Sequence, residues 1–191
     1  EKIAKKKIKK YSIPYLVLDF NSYDFKIINE IKTLINLYKV LKKYKPDIFH
    51  TVAPKTNLYG GFISLFLKIN TTILSFSGMG FLFTGKLSYY NSIKKNIYIY
   101  LLKIILLNKN IKIIVQNKTD YNFFKLNFDN QEKIKLIKGG SGININTYKN
   151  IKKKNNNNVV FSGRLVANKG IREFIEAAKV LKKDFPKWNF L

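Results

Sequence analysis

The chain has 191 residues, and its 36 lysines and arginines against 11 aspartates and glutamates give a formal net charge of +25. It contains no cysteine and only one histidine, which excludes a disulfide framework, thiolate metal sites and multi-histidine metal clusters. The amino end, EKIAKKKIKK, lacks the apolar core of a signal peptide. No apolar run is long enough to span a bilayer. We therefore expect a cytoplasmic protein.

The positive charge favours an acidic partner. The lysines are spread along the whole chain, and no zinc finger, RNA-binding module or basic-heptad pattern accompanies them. We therefore expect no nucleic-acid partner. An anionic membrane surface fits the charge better, and peripheral attachment to the inner face of the cell membrane is compatible with it.

Apolar spacing predicts strands and helices in alternation. The amino end at 1–10 has the pattern of the end of a helix. The predicted strands lie at 13–18, 47–52, 71–76, 111–116, 133–138, 159–161 and 188–191, and the predicted helices at 27–41, 58–67, 88–107, 118–126 and 171–181. Short connections predict a parallel sheet with helices on both faces. The polar segment YKNIKKKNNNN at 148–158 is typical of an interdomain linker.

The predicted helix at 88–107 carries an apolar stripe with lysines nearby. The stripe consists of Ile93, Ile97, Tyr100, Leu101, Ile104 and Leu107, and the lysines are Lys94, Lys95 and Lys103. A stripe of this kind usually faces the core of the protein. The alternative is that part of it docks on lipid.

The loops at the carboxyl ends of the predicted strands hold the candidate site, because ligands of parallel α/β sheets bind at that edge. His50 ends one strand, where it is either a hydrogen-bonded structural residue or part of a cleft. Lys55 follows on the same loop, where its ammonium can meet an acceptor phosphate. Ser77, Gly78 and Gly80 end the next strand, and the glycines form either a plain turn or a close approach to a bound group.

Two further loops contribute candidates at the same edge. Asn117 either caps the helix that starts there or faces the site. Gly140, Ser141 and Gly142, preceded by Gly139, have a composition that suits a backbone passing close to a ligand or to a second domain.

Near the carboxyl end, an apolar strand at 159–161, buried on both faces, is followed by a loop at 162–169 and an amphipathic helix. Gly163, Arg164 and Lys169 lie in that loop, and the chain has only one other arginine, Arg172. A guanidinium binds phosphate bidentately and an ammonium does not. Arg164 and Lys169 therefore form a candidate two-point clamp on a diphosphate, at a helix start that favours anions. The alternative is a solvated basic turn.

Six segments resemble, in order, the signatures of one family. They are PDIFHT at 46–51, PKTNLYG at 54–60, SGMGFLF at 77–83, QNKTD at 116–120, GSGIN at 140–144 and SGRLVANKGIREFIEAA at 162–178. Together they cover about residues 45–185 and resemble family 4 retaining glycosyltransferases of the GT-B fold. The closest likeness is to the bacterial subgroup that adds sugars to polyprenyl-linked oligosaccharides in surface-polysaccharide or protein-glycan assembly.

The resemblance implies two Rossmann-like domains. The first, on the acceptor side, covers 1–144; a linker follows at 145–157, and 158–191 begins a nucleotide-sugar-binding domain. The resemblance also implies a first strand and a glycine-rich loop ahead of residue 1, and a longer second domain with an E-x7-E motif after residue 191. We therefore expect a fragment that transfers no sugar by itself. Its short second part should leave four apolar side chains partly exposed, Ile171, Phe174, Ile175 and Trp188.

The function implied is that of a hexosyltransferase-type enzyme that uses a nucleotide-diphosphate sugar, such as a UDP-sugar, and retains the anomeric configuration. Arg164 and Lys169 would stabilise the leaving diphosphate in place of a metal, so neither metal nor cofactor is expected. The donor would also meet Gly163, Gly140, Ser141 and Gly142. The polyprenyl-linked or glycan acceptor would meet His50, Lys55, Ser77, Gly78, Gly80 and Asn117. The alternative is a basic, non-enzymatic protein that binds nucleic acid or an anionic membrane.

Two positions depart from the family pattern. Many members carry a histidine just before the first glycine of the 77–83 motif, where this chain has Ser77. The family usually has aspartate where this chain has Asn144. Neither an imidazole role at the first position nor a charge-dependent role at the second is therefore expected here.

Overall fold

The structure is a computed structural model that describes residues 2–18, 27–80, 83, 89–129, 131–147, 157–165 and 169–191. The chain divides into two compact units, Glu1–Gly142 and Ile143–Leu191. Most of the predicted linker, from 148 to 156, lies outside the described residues. The two units are described separately below.

The first unit is an α/β domain built on a parallel sheet. Its elements are α1 (Lys2–Lys10), α2 (Ile27–Tyr44), β1 (Ile48–Val52), α3 (Pro54–Ser64), β2 (Thr71–Phe76), α4 (Tyr89–Leu106), β3 (Ile111–Val115), α5 (Lys118–Asn127) and β4 (Ile134–Leu136). The four strands pair in chain order, β1-β2-β3-β4, and every pairing is parallel. This sheet flanked by helices confirms the predicted Rossmann-like fold class.

The second unit contains β5 (Asn158–Val159), α6 (Ile171–Asp184) and β6 (Asn189–Phe190). The two strands pair in parallel. Hydrogen bonds continue the pairing beyond the strand ends, with Phe161 N donating to Leu191 O at 2.7 Å. This is the strand–loop–helix–strand order that the sequence predicts for 159–191.

The main core lies between the sheet and helices α4 and α5. Alternate residues of β3, namely Ile111, Ile113 and Val115, are fully buried, while Lys112 between them is exposed. Phe76 of β2 and Phe124 of α5 meet with ring centroids 4.9 Å apart. The sheet thus turns one set of alternate side chains toward these helices, as the period of two in a strand requires.

Two glycines let α3 approach its neighbours closely. A Cβ built on Gly60 would lie 2.5 Å from Thr51 Cγ2, and one built on Gly61 would lie 2.6 Å from Ile105 Cγ2. Both distances are far below van der Waals contact. Glycine at these two positions therefore sets how close α3 lies to β1 and to α4.

Lys133 is a buried lysine, with 7% of its surface exposed. Its Nζ donates hydrogen bonds to Leu106 O at 2.6 Å and to Asn108 O at 3.2 Å. Burial lowers the pKa of this ammonium. The ammonium group thus donates to carbonyl groups at and just after the C-terminal end of α4, where the helix dipole favours a cation.

Three predictions about individual segments are wrong: the strand at 13–18, the start of α3, and the burial of 159–161. Residues 13–18 form no strand: they belong to no sheet, and Ile13, Leu16 and Val17 are each more than half exposed. An apolar run needs paired neighbours to become a strand, and Pro14 has no N–H to contribute. Helix α3 begins at Pro54 rather than at 58, because proline is favourable in a first helical turn. The 159–161 segment is not buried on both faces, since Val160 is exposed.

Among the described residues, no helix is both long and apolar enough to cross a membrane. The longest helices, α2 and α4, each have 18 residues.

The Gly61 contact gives the first testable prediction. Gly61→Ala should lower the free energy of unfolding by about 1–2 kcal/mol, because overpacking against Ile105 outweighs the helix propensity that alanine adds. Gly78→Ala is the control, since a Cβ there would meet nothing within 4 Å. Thermal and urea unfolding measure both variants. Equal stability of the two variants would show that the α3–α4 contact is not tight.

Candidate functional site at the carboxyl edge of the sheet

Because all four strands of the first unit are parallel, the loops that leave them open at one edge of the sheet. These loops begin at Ala53, Ser77, Gln116 and Ile137. Lys55, Ser77, Gly78, Gly80, Asn117 and the glycines of 139–142 all lie on them or in the helix turn that follows. The structure therefore brings these predicted residues to one side of the first unit. Arg164, Lys169 and Gly163 belong to the second unit.

The corner between β1 and α3 has a strained backbone. Ala53 has φ 84° and ψ 149°, a conformation that is found almost only in glycine. Its N–H donates to Ser75 O of β2 at 3.2 Å. No side chain caps the first turn of α3. The sharp corner places the start of this helix directly at the sheet edge, and strain of this kind costs about 1–3 kcal/mol.

A buried polar network fixes this corner. The Asn57 side chain is fully buried. Its Oδ1 accepts a hydrogen bond from Thr51 Oγ1 at 2.7 Å, and its Nδ2 donates to Ser75 O at 2.8 Å. The amide thus links α3 to β1 and β2 at once. Thr51 itself lies within β1 and is buried.

His50 does not end its strand as predicted. It is the third of the five residues of β1, and its ring Nε2 lies 2.6 Å from the Ser75 hydroxyl. Strand alternation turns it away from the face that carries Thr51. This contact supports the structural interpretation of His50. A cavity of about 280 Å³ lies beside β1, lined by residues of α2, β1 and α3 that include His50, Thr56 and Tyr59.

Lys55 is held by an ion pair that the sequence pattern did not indicate. Its Nζ lies 2.8 Å from Glu30 Oε1 of α2, and both side chains are mostly buried. The same ammonium lies 5.7 Å from the ring centroid of Tyr59. Glu30 is the only acidic residue of α2, which is the one sequence signal that singles it out. The pair fixes a cation in the first turn of α3.

Tyr98 of α4 supports the start of α3 from the core side. Its hydroxyl donates to Pro54 O at 3.0 Å. Burial raises the pKa of this phenol far above its usual value, so the group stays protonated as a donor. Its ring also meets Phe83 edge-on, with centroids 5.8 Å apart.

The glycine loops are open toward solvent. Gly139, Gly140 and Gly142 all have φ between 64° and 89°, and a Cβ on any of them would meet nothing within 4 Å. The left-handed backbone alone therefore accounts for these glycines, and the space beside them is free. The side chain of Ser141 donates to Gln116 Oε1 at 3.2 Å, which ties this loop to the one after β3. Gly80 also has a positive φ, of 78°.

Asn117 is the N-cap of α5. Its Oδ1 accepts a hydrogen bond from Asp120 N at 2.8 Å, and its Nδ2 donates to Asp120 Oδ2 at 2.8 Å. This reciprocal pair confirms the capping interpretation of both residues. The capping role alone explains why asparagine is placed there.

In the second unit, Arg164 and Lys169 are exposed. Gly170 caps the start of α6 with φ 78° and offers no side-chain cap to its N–H groups. A Cβ on Gly163 would come within 3.4 Å of the Phe161 ring. Phe161 in turn packs on Phe174 of α6, with centroids 5.4 Å apart. Lys169 directly precedes the Gly170 cap of α6, and Arg164 lies earlier in the same loop, of which 166–168 are outside the described residues.

Within the described residues, no cluster of three or more histidine, cysteine, aspartate or glutamate side chains is arranged to hold a metal ion.

The cap at Asn117 gives the second prediction. Asn117→Ala should lower the free energy of unfolding by about 1 kcal/mol, because a helix N–H and the buried Asp120 both lose a partner. Asn122→Ala, at an exposed site of the same helix, is the matched control and should change little. Asn117→Ser, which keeps an acceptor, should recover most of the loss. Chemical denaturation measures all three variants, and an unaffected Asn117→Ala would contradict the capping role.

Comparison with known proteins places this geometry in a family. A family model described as glycosyl transferase 4-like matches residues 3–117, which contain β1 to β3, α3, α4 and the loops that leave β1, β2 and β3 at the sheet edge. A comparison with curated proteins finds no significant match. The matched region is more than half of the 191 residues. The chain therefore belongs to the glycosyl transferase 4-like family, whose chemistry is the transfer of a sugar from a donor to an acceptor.

Proposed function

We propose that the chain acts in transfer of a sugar from a nucleotide-diphosphate sugar, specifically a UDP-sugar, to a polyprenyl-linked or glycan acceptor with retention of configuration. The observation that carries this proposal is the strand–glycine loop–helix unit at 158–184, with an arginine and a lysine at the start of α6. The bacterial assembly of surface polysaccharides or protein glycans is the setting that the sequence motifs favour.

The donor end of the proposal depends on Arg164 and Lys169. Both side chains are exposed, so a diphosphate can reach them without rearrangement of a core. The first turn of α6 has no side-chain cap and carries the positive end of the helix dipole. A guanidinium, an ammonium and free helix N–H groups together match the charge and the acceptor oxygens of a diphosphate.

The catalytic step would place negative charge on the departing diphosphate. Cations that are already in position stabilise that charge more in the transition state than in the bound sugar nucleotide. Arg164 and Lys169 would supply this stabilisation without a metal ion. We therefore propose a metal-independent reaction, in which transfer persists in the presence of a chelator.

The acceptor end of the proposal depends on the carboxyl edge of the first unit. A phosphate group arriving there meets Lys55, whose ammonium is held in place by Glu30. The open space beside Gly140 and Gly142 leaves room for a ligand to approach the backbone. Ser77, Gly78 and Gly80 lie on the adjoining loop.

Binding of UDP tests the proposal, and the two arginines of the chain give a matched pair of variants. Arg164→Lys should weaken UDP binding by about ten- to a hundredfold, because one charge-assisted hydrogen bond contributes roughly 1.5–3 kcal/mol. Arg172→Lys, in α6 and also exposed, should leave it unchanged. Lys169→Ala should cost at least as much as Arg164→Lys. Isothermal titration calorimetry with UDP and with uridine measures the contribution of the diphosphate.

Two outcomes would contradict the donor site. One is equal weakening by Arg164→Lys and Arg172→Lys, which would indicate general electrostatic attraction. The other is tight binding of bulk RNA or DNA with a steep salt dependence and no response to UDP, which would favour a basic, non-enzymatic protein.

A further inference from the structure

Helix α4 is apolar on two opposite faces. Tyr98, Leu102, Ile105 and Leu106 are buried and supply the face that packs in the main core. The opposite face, formed by Ile93, Ile97 and Tyr100 and continued by Leu107 directly after the helix ends, is exposed to solvent: Ile97 is 53% exposed, Tyr100 65% and Leu107 76%. The sequence stripe at these four positions therefore does not face the core. We call these four residues the outer face of α4.

The outer face is a continuous line. Its members are separated by four, three and seven residues, which keeps them on one side of a helix. At about 1.5 Å per residue, the line from Ile93 to Leu107 extends about 21 Å. An apolar surface of this shape, on a folded protein, is typical of a helix that lies flat against another surface.

The charge around the outer face has one sign. Lys103 of the same helix is exposed and Lys94 is half-buried. Lys95 lies toward the core side of α4, where its ammonium is 5.4 Å from the centroid of the Phe83 ring. The chain carries no aspartate or glutamate between Asp47 and Asp120, so α3, α4 and the strands between them contribute no negative side chain. The charged side chains of α4 are all lysines. An apolar line next to them complements a lipid surface, which is apolar in its interior and anionic at its headgroups. A nucleic acid would use the lysines but would leave the aliphatic side chains exposed.

We propose that the outer face of α4 docks the protein on an anionic lipid surface. Ile93, Ile97, Tyr100 and Leu107 enter the boundary between headgroups and acyl chains, and Lys103 extends to the headgroup phosphates. The amino end of α4 follows the 77–80 loop, so docking brings the carboxyl edge of the sheet close to the lipid. A sheet edge in this position could reach a lipid-linked acceptor, and that step rests on the proposed function. The docking itself does not require sugar transfer.

Vesicle sedimentation with the full 191-residue chain tests the docking. The chain should bind vesicles that contain phosphatidylglycerol, should leave pure phosphatidylcholine vesicles unbound, and should be released at high salt. The double variant Ile93→Thr/Ile97→Thr should bind about tenfold or more weakly, because two aliphatic side chains no longer enter the lipid. Its matched control is Ile31→Thr/Ile48→Thr, at two exposed isoleucines that belong to α2 and β1 rather than to α4. The control should bind like the wild type, and circular dichroism checks that both variants are folded.

A second measurement does not depend on the folding of the variants at 93 and 97. Because the chain has no cysteine, Leu107→Cys accepts a single environment-sensitive fluorophore. Its emission should shift to the blue on anionic vesicles, and a label at Ile48→Cys should not shift. Equal binding to neutral vesicles, absence of binding to both kinds, or equal loss in the two isoleucine variants would overturn the proposal. Displacement from the vesicles by RNA with no shift of the label at 107 would show instead that the lysines bind nucleic acid.

Discussion

The buried amide of Asn57 is the contact on which the geometry of the sheet edge depends. It accepts from Thr51 of β1 and donates to the Ser75 carbonyl of β2, so one side chain fixes α3 to two strands. Leaving any of these groups unpaired inside the protein would cost about 1–3 kcal/mol. The first turn of α3 therefore has a single position relative to the sheet, and the strained backbone of Ala53 is the local consequence of holding it there.

From that constraint the rest of the edge follows. Once α3 is fixed, Lys55 in its first turn is in reach of Glu30 on α2, and the Pro54 carbonyl is in reach of the Tyr98 hydroxyl on α4. Gly60 and Gly61 allow this close approach because no Cβ intervenes. Helices α2, α3 and α4 thus converge on one corner through side chains that come from three separate parts of the sequence.

Most of the first unit could be predicted from the sequence, since its elements have strong local signals. The predicted strand at 71–76 coincides with β2, because a run of apolar and β-branched residues there is bounded by Asn70 and Ser77. The 13–18 segment has an equally apolar pattern and forms no strand. An apolar periodicity indicates that one face of a segment is apolar, but it does not identify the neighbouring strand with which the segment must pair.

The contacts at the site were less predictable than the elements. Lys55 and Glu30 are 25 residues apart, and so are His50 and Ser75. No local pattern indicates such pairs, because only the packing of whole elements brings them together. The glycines of 139–142 show a different limit of prediction from sequence, because one local pattern can have two explanations. Their composition favoured a ligand contact, whereas their positive φ values explain them by backbone conformation alone.

In the second unit, the described residues near the proposed diphosphate site are held by local contacts. Every fully buried side chain among the described residues belongs to the first unit. In α6 none is buried, and Ile171, Phe174, Ile175 and Trp188 stay partly exposed as predicted. The start of α6 is instead held by local contacts, namely the Phe161–Phe174 ring pair and the left-handed turn at Gly170.

Position 164 holds one of only two arginines among the 36 lysines and arginines of the chain, and the geometry of the side chain gives a reason for it. An ammonium on a flexible stem loses more freedom for each hydrogen bond that it forms than a planar guanidinium does. In a rigid cleft the surroundings would restrict a lysine in advance. Arg164 lies on an exposed loop, and there the fixed fork of arginine supplies its own geometry. The one property that distinguishes Arg164 from the many lysines is therefore the property that binding a diphosphate on this unit would require.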